Sequence, residues 1–384
     1  MARHDVDEAI RRLLGELEES YPPERVARIK GQSEAAWKGC GEDSPYAGRI
    51  AFAVFGGLPP GRAGIPDGAS PEDAELIAQL AQMRHNAEVA GEHFKAFHSG
   101  LEQVTVPSMF MCVKEGIGAS EHIRPVIASP EDVYRLPEAR VRDGYMCKAI
   151  LDRMAYRHGR TGGRVWSYMT DVQGPFSCAA QMWGIERFLA DLREHPKEAH
   201  HLLGLCTDAI IAFFAEMRRA VGGRLVPIHC MPVIWVPEDC GVAVSDDFFA
   251  IVGADVAEEF SIPYLERIGE ALGGVTVHTC GSMNHLASSV NAMRHIKAVN
   301  FSVTETDLDR YADECDPRIA IIAHKSGVSI GGLPIPDDIG LIRLCAATQR
   351  RTGVRVIALP QYVEGPITPE RNEAWERAAS LSGP

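Results

Sequence analysis

The sequence predicts an α/β protein, a (β/α)8 TIM barrel with an N-terminal helical extension over 1–100 and the barrel over 101–384. Three observations point there. After residue 100, strand-like and helix-like segments alternate with short connections, the signature of a parallel sheet covered by helices. The late strand candidates are near-continuous apolar runs, as parallel strands buried on both faces should be. A chain of 384 residues is long for one average domain but ordinary for a barrel. No GxGxxG follows a strand, which weighs against a dinucleotide fold.

Residues 4–20 form an amphipathic helix, and 71–99 form a longer one with Pro71 early and Glu72-Asp73 suited to its positive end. A glycine- and proline-rich loop, AVFGGLPPGRAGIPDG, lies between them at 53–68. VTVPSMFMCV (104–113), RVWSYMTDV (164–172) and LVPIHCMPVIWV (225–236) read as strands, with helical periodicity over 178–220 broken near His195-Pro196. A helix over 248–272 breaks near Pro263. Then come strand VTVHTC, a helix at 283–296, strand AVNFSV (298–303), helix DLDRYADEC, strand RIAIIAH (318–324), a helix at 337–351, strand VRVIALP (354–360) and a helix at 368–381.

Composition narrows the function classes. Hydrophobic residues are 46% and charged residues 24%, so a large core can be buried. The net charge of −13 suits neither phosphate backbones nor nucleic acid as a partner. Ten cysteines show no CxxC pair, the N-terminus has no signal-like apolar core, and no run of about 18 apolar residues suggests a membrane span. A reducing cytoplasm with free thiols is the expected setting.

In a barrel, chemistry sits at the C-terminal ends of strands. The polar residues read at those positions are Asp171 and Gln173, Glu238, Asp239 and Cys240, His278 and Cys280, Thr304 and Glu305, His324 and Lys325, and Gln361, Tyr362 and Glu364. His278 and Cys280, two apart on extended backbone, face the same way and suit one Zn2+; a core histidine beside a buried thiol is the bland alternative. Glu305, ending the next strand, is placed to supply a carboxylate. Cys345 falls inside a helix and reads as core, and Cys240 is equally suited to a plain turn. Asp171 is aimed by the following Gly174-Pro175 turn, as general base or as a helix cap. Glu238-Asp239 suit acid–base work, whereas Asp246-Asp247 read as the acidic start of a helix. Gln173, His324 and Tyr362 are the substrate-binding candidates.

Three stretches carry a family resemblance: TDVQGPFSCAAQMWGIERFLADLREHPKEAHHLL (170–203), EDCGVAVSDDFFAIVGADVAEEFSIPYLERIGEALGGVTVHTCGSM (238–283) and ALPQYVEGPITPERNEAW (358–375), with VPSMFMCVKEGIG (106–118) and ASPEDVYRLPE (128–138) adding to it weakly. Together they resemble the uroporphyrinogen decarboxylase superfamily, over roughly 100–380. The resemblance implies one (β/α)8 barrel and two branches of activity, a tetrapyrrole decarboxylase and zinc-dependent methyltransferases that work with corrinoids. The decarboxylase branch carries an arginine-rich segment where this chain reads FGGLPPGRAGIPDG, with Arg62 alone. His278-Thr279-Cys280-Gly281 is similar to the methyltransferase branch, but the further cysteine near the last strand is absent; either Glu305 or Glu364 substitutes, or the site binds metal differently or not at all. The resemblance thus implies a zinc methyltransferase moving a methyl group between a small, methoxylated substrate and a corrinoid, methylcobalamin or cob(I)alamin. No corrinoid-binding DxHxxG segment occurs, so a corrinoid protein is the expected partner; a homodimer is left open. The runner-up is a metal-free decarboxylase or lyase using Asp171 and Glu238/Asp239, and a non-catalytic binding barrel comes third.

Overall fold

The computed structural model describes residues 2–58, 61–100, 104–115, 122–229, 233–361, 363 and 365–382. Ten short strands occur among them: β1 (Ala96–Phe97), β2 (Val113–Glu115), β3 (His122–Arg124), β4 (Trp166–Tyr168), β5 (Leu225–Val226), β6 (Val242–Ser245), β7 (Val275–His278), β8 (Ile296–Ser302), β9 (Ala320–His324) and β10 (Val356–Leu359). β1, β4 and β5 form a three-stranded parallel sheet, and β6 to β10 form a five-stranded parallel sheet in chain order. Backbone bonds link the two sheets on one side, Ala243 N–H to the Pro227 carbonyl at 2.9 Å and Ser245 N–H to that of Val172 at 2.9 Å. On the other side residues 51–53 bond to Ala358 of β10, and Glu92 N–H reaches the Phe52 carbonyl at 2.8 Å. This arrangement of parallel strands and covering helices is compatible with the barrel the sequence predicts.

Alternation along the strands sorts their residues onto two faces. Val242, Val244, Val275, Val277, Val299, Phe301, Ile321, Ala323 and Val356 join the cluster beneath the covering helices. Their neighbours Ala243, Ala298, Ala320, Ile322, Ile357 and Leu359 gather in a second cluster with Val6, Ile10, Leu13, Leu17, Leu76 and Leu80 of the N-terminal helices. The second face is apolar where the strands begin. Toward their ends it carries Ser245, His278, Asn300, Ser302 and His324 instead, all buried. Register makes the row contiguous, since Ser245 pairs with His278, and His278 with Asn300.

The helical extension holds helices Ala2–Ser20, Pro23–Lys38 and Pro71–Asn86; the second is not singled out by periodicity, nor is the later Tyr145–Arg160. Ser70 caps the third through the Asp73 N–H at 3.1 Å. That helix stops at Asn86 rather than 99. The chain must fold back on Phe52, and Gly91, at φ 101°, is where it does so: a Cβ there would lie 2.4 Å from the Phe52 carbonyl oxygen. β1 then enters the three-stranded sheet from within the 1–100 segment.

Other elements differ for local reasons. The strand expected over 104–113 is a 3-10 turn, Pro107–Phe110, because Pro107 has no N–H for a ladder and Met111 follows in the left-handed region at φ 67°. The strand expected over 225–236 ends at Val226, where Pro227 interrupts donation. The helical segment expected over 248–272, with its break near Pro263, opens with a 3-10 turn at Asp247–Ala250 and widens to a π turn at Ala257–Ser261. Pro263 cannot donate to the ladder and accounts for the widening before Ile262–Leu272. The helix expected at 283–296 is a 3-10 turn, Asn284–Leu286, and a short helix, Ala287–Asn291, because Ile296 already begins β8.

Candidate metal centre and its acid–base neighbours

β7 ends in His278, with its imidazole in the row between Ser245 and Asn300. Asn300 donates its Nδ2 to the Ile322 carbonyl at 2.7 Å, which fixes the amide and turns Oδ1 toward His278. His278 Nδ1 lies 2.6 Å from that oxygen, so Nδ1 carries the hydrogen and Nε2 keeps its lone pair. Burial, partly offset by the Asp247 carboxylate, holds the imidazole below its ordinary value and therefore neutral. Nε2 faces Cys280 Sγ at 3.4 Å. An oriented, neutral imidazole with a free nitrogen beside a sulfur is the form that binds a metal.

A third donor comes from the strand on the other side. β6 runs out at Ser245, and Asp247 opens the 3-10 turn beyond it. Its Oδ1 accepts the Cys280 backbone N–H at 2.8 Å. Ligand atoms of Asp247, His278 and Cys280 all lie within 4.8 Å of one another. Gly281 lets these segments meet: its φ is 105°, and a Cβ would come 2.5 Å from that of Ala250 in the Asp247 turn. The Cys280 residue is exposed at its edge, yet burial of the sulfur and the Asp247 carboxylate push the thiol up to about 12. Without a cation the thiolate does not form at neutral pH; a bound metal is what deprotonates such a thiol. Imidazole nitrogen, thiolate and carboxylate together suit zinc.

Glu305 stands beside this trio and is otherwise engaged. Its Oε2 accepts the Gly281 N–H at 2.5 Å and its Oε1 accepts the Ser326 hydroxyl at 2.7 Å. The structure thus brings Asp247, and not Glu305, into the donor cluster. Tyr362 and Glu364 lie outside the described residues.

A second cluster adjoins the first. Asp171 Oδ1 lies 3.0 Å from His229 Nε2 and accepts the Ser245 hydroxyl at 3.2 Å, while Ser245 Oγ is 2.8 Å from His229 Nε2. Gln173 reaches the other Asp171 oxygen at 3.4 Å, and its backbone bridges Ser245. Burial would raise the Asp171 carboxyl, but His229, His278 and the Ser245 hydroxyl outweigh it and hold the group below the usual carboxylate range. With Nε2 committed to Asp171, the buried His229 Nδ1 meets no partner among the described residues. Asp246 faces the opposite way, between the hydroxyls of Ser177 and Ser261, and burial pushes it up to about 7. Its N–H donates to the His278 carbonyl at 2.8 Å, tying β6 to β7 at the site.

His324 ends β9 on the same face. Its ring lies 5.8 Å from that of His278, and its Nδ1 is 3.3 Å from Asn300 Nδ2. Burial and the neighbouring His278 bring it down to about 3, so it too is neutral. Lys325 turns away and donates to the Pro336 carbonyl at 3.0 Å. Glu238 and Asp239 are not at this end of the sheet. They precede β6 rather than end a strand, and Asp239 pairs with Lys38 at 2.7 Å. The expectation fails because VIWV is not a strand, so the carboxylates after it sit where β6 starts. Cys240 and Cys345 are buried thiols, the latter inside the helix Asp338–Thr352.

Three residues of the site are not evident from sequence. Asp247 resembles a helix start, His229 lies inside what reads as one long strand, and Asn300 sits mid-strand. The usable signal for Asn300 is its even spacing from Ser302 and Ala298 on an inner face. For Asp247 it is the Ser245-Asp246-Asp247 run at a strand end.

Comparison with known proteins bears on part of this arrangement. Residues 82–228 match the model of the uroporphyrinogen decarboxylase (URO-D) family. That stretch includes Asp171 and Gln173 and stops one residue before His229, so Asp247, His278 and Cys280 lie outside it. The fold is similar to that of a methyltransferase from Methanosarcina mazei, with a TM-score of 0.58 and 16% identity over 91% of this chain and 98% of that one. At that identity the likeness is one of fold. No curated protein matches the chain. The family match thus covers less than half of the chain, and the structural neighbour adds a likeness of fold alone. Among the described residues, no helix is long and apolar enough to cross a membrane.

Proposed function

We propose that this chain is a zinc-dependent methyltransferase of the uroporphyrinogen decarboxylase superfamily, built on a closed (β/α)8 barrel. It would move a methyl group between a small methoxylated compound and a corrinoid carried on a partner protein. One observation carries the reading: ligand atoms of His278, Cys280 and Asp247 all lie within 4.8 Å of one another, at the ends of β6 and β7. His278, Cys280 and Asp247 would hold the ion, with Asn300 orienting the imidazole from behind. A zinc ion held there supplies Lewis acidity toward an ether oxygen, easing departure of its alkyl group. Asp171 and His229 would position the substrate's polar end and handle its proton, and Gln173 and His324 would line the same space. The carboxylate donor in place of a further cysteine favours oxygen-bearing substrates over thiols.

The test has two parts. Metal analysis of the purified protein should find about one zinc per chain, and none in a His278→Ala, Cys280→Ala double variant. Methyl transfer to a cob(I)alamin acceptor should then be seen with at least one of a panel of methoxylated compounds. A protein that binds no zinc and keeps a decarboxylase activity in the double variant would establish the metal-free alternative instead.

A further inference from the structure

Three aromatic side chains meet where the strands begin, whereas His278 and Cys280 lie where they finish. Trp166 opens β4, Phe94 precedes β1, and Trp235 lies between β5 and β6. The ring centroids are 4.7 Å apart for Phe94 and Trp235, 4.9 Å for Trp166 and Trp235, and 6.0 Å for Phe94 and Trp166. The interplanar angles are 54°, 88° and 72° in the same order, so the rings form three walls rather than a stack. Backbone bonds fix those walls from behind. Phe94 N–H donates to the Val233 carbonyl at 2.8 Å. The hydroxyl of buried Tyr168, two residues on from Trp166, reaches the carbonyls of Ile234 at 3.1 Å and Phe94 at 3.4 Å. Phe94 and Trp235 are buried, and Trp166 is half-buried.

Lys30 of the helix Pro23–Lys38 fills this cage. Its Nζ lies 3.9 Å from the Trp235 ring centroid, 5.2 Å from that of Trp166 and 6.0 Å from that of Phe94. Among the described residues, that ammonium has no hydrogen-bond or ion-pair partner. Lys38, about two turns along the same helix, instead pairs with Asp239 at 2.7 Å. A primary ammonium carries three donors and is strongly hydrated, and aromatic faces give it no oxygen to bond. A quaternary ammonium has no N–H to satisfy, and its methyl groups can rest on the ring faces. The cage therefore suits a methylated cation better than the lysine that occupies it. Trp166 also carries the Arg224 guanidinium, 5.8 Å from its ring. Exposed Glu238 lines a cleft with Trp166 and Trp235, which puts a carboxylate beside both indoles. Lys30 further lines a groove of about 600 Å³ with Tyr21 and Val26, so its flexible stem has room to turn aside. We propose that Phe94, Trp166 and Trp235 form a binding site for a small quaternary ammonium compound, with Lys30 as a built-in occupant that swings out when the ligand enters. The site is independent of the methyl-transfer reading and holds or fails without it.

Choline is the probe, and dimethylbutanol, its uncharged isostere with carbon in place of nitrogen, is the control. Binding to the full-length protein is followed by saturation-transfer NMR and titration calorimetry. Lys30→Ala, which removes the competing ammonium, should tighten choline binding by about tenfold or more over the parent. The isostere should bind the same variant at least about tenfold more weakly than choline, because the ring faces attract charge. In the Lys30→Ala background, Trp235→Ala should abolish choline binding. Trp166→Leu, at the half-buried wall, should weaken it by about tenfold or more and gives the same reading where Trp235→Ala does not fold. No choline binding to Lys30→Ala, equal binding of the two compounds, or binding unchanged by Trp166→Leu would overturn the proposal and leave Lys30 as a clasp between the helical extension and the strand starts.

Discussion

Two acidic pairs flank the same strand. Glu238-Asp239 precede β6 and Asp246-Asp247 come after it, with only four strand residues and Gly241 and Cys240 near the first pair to separate them. Their fates differ completely. Asp239 is exposed and ion-paired with Lys38, whose hydrogen bond lowers its carboxyl. Asp246 is fully buried between two serines and raised to about 7, and Asp247 joins the cluster of His278 and Cys280. Residue type is similar in both pairs; what differs is which end of a parallel strand they occupy. The strand starts meet the N-terminal helices, while the strand ends carry the buried polar row Ser245, His278, Asn300 and His324.

That contrast can be broken experimentally. The largest effect is expected from the donors: Cys280→Ala or Asp247→Ala should weaken zinc binding by about 100-fold or more, measured by competition with a chromophoric chelator. Asn300→Ala should cost about 10- to 100-fold in the same assay, because the imidazole loses the partner that fixes its tautomer. If Asn300→Ala binds zinc like the parent, His278 is not oriented as described.

Asp246 sharpens the comparison through pH. Its folded carboxyl lies near 7, above the unfolded value of 3.8, so the folded state holds the extra proton between those values. Stability from this group is full below about 4 and is lost as pH rises through 7. Buried Glu92, also near 7, contributes with the same sign. Asp246→Asn should therefore flatten part of the fall in stability between pH 4 and 7, read from urea midpoints. A parallel profile in the variant and the parent would show that Asp246 does not titrate as described.

The smallest change is expected at the other end of the strand. Asp239→Ala removes an exposed ion pair and should shift stability by no more than about 1 kcal/mol, with zinc binding unaltered. A loss of zinc in Asp239→Ala would mean that the two ends of β6 are coupled after all.

Much of this is legible in the amino-acid sequence. The parallel strands β7 to β10 can be read as apolar runs, and His278 and Cys280 as a strand-end pair, because hydrophobic periodicity is a local property of the chain. Where periodicity misleads, prolines and close approaches intervene. Pro107 and Pro227 cut short two apparent strands, and Pro227 thereby frees His229 from what looks like a strand interior. Asp247 cannot be separated from a helix start, because its role depends on the N–H of Cys280, 33 residues further along the chain.

The chain by itself determined that parallel strands alternate with helices, and that an imidazole and a thiol leave one strand on the same side. Tertiary structure alone decided what they meet. Register across β6, β7 and β8 sets Ser245, His278 and Asn300 in one row, and the turn after β6 brings Asp247 to Cys280. Side-chain direction is set within a few residues of backbone, whereas the third donor depends on how separate strands align, and that alignment comes from packing the whole sheet.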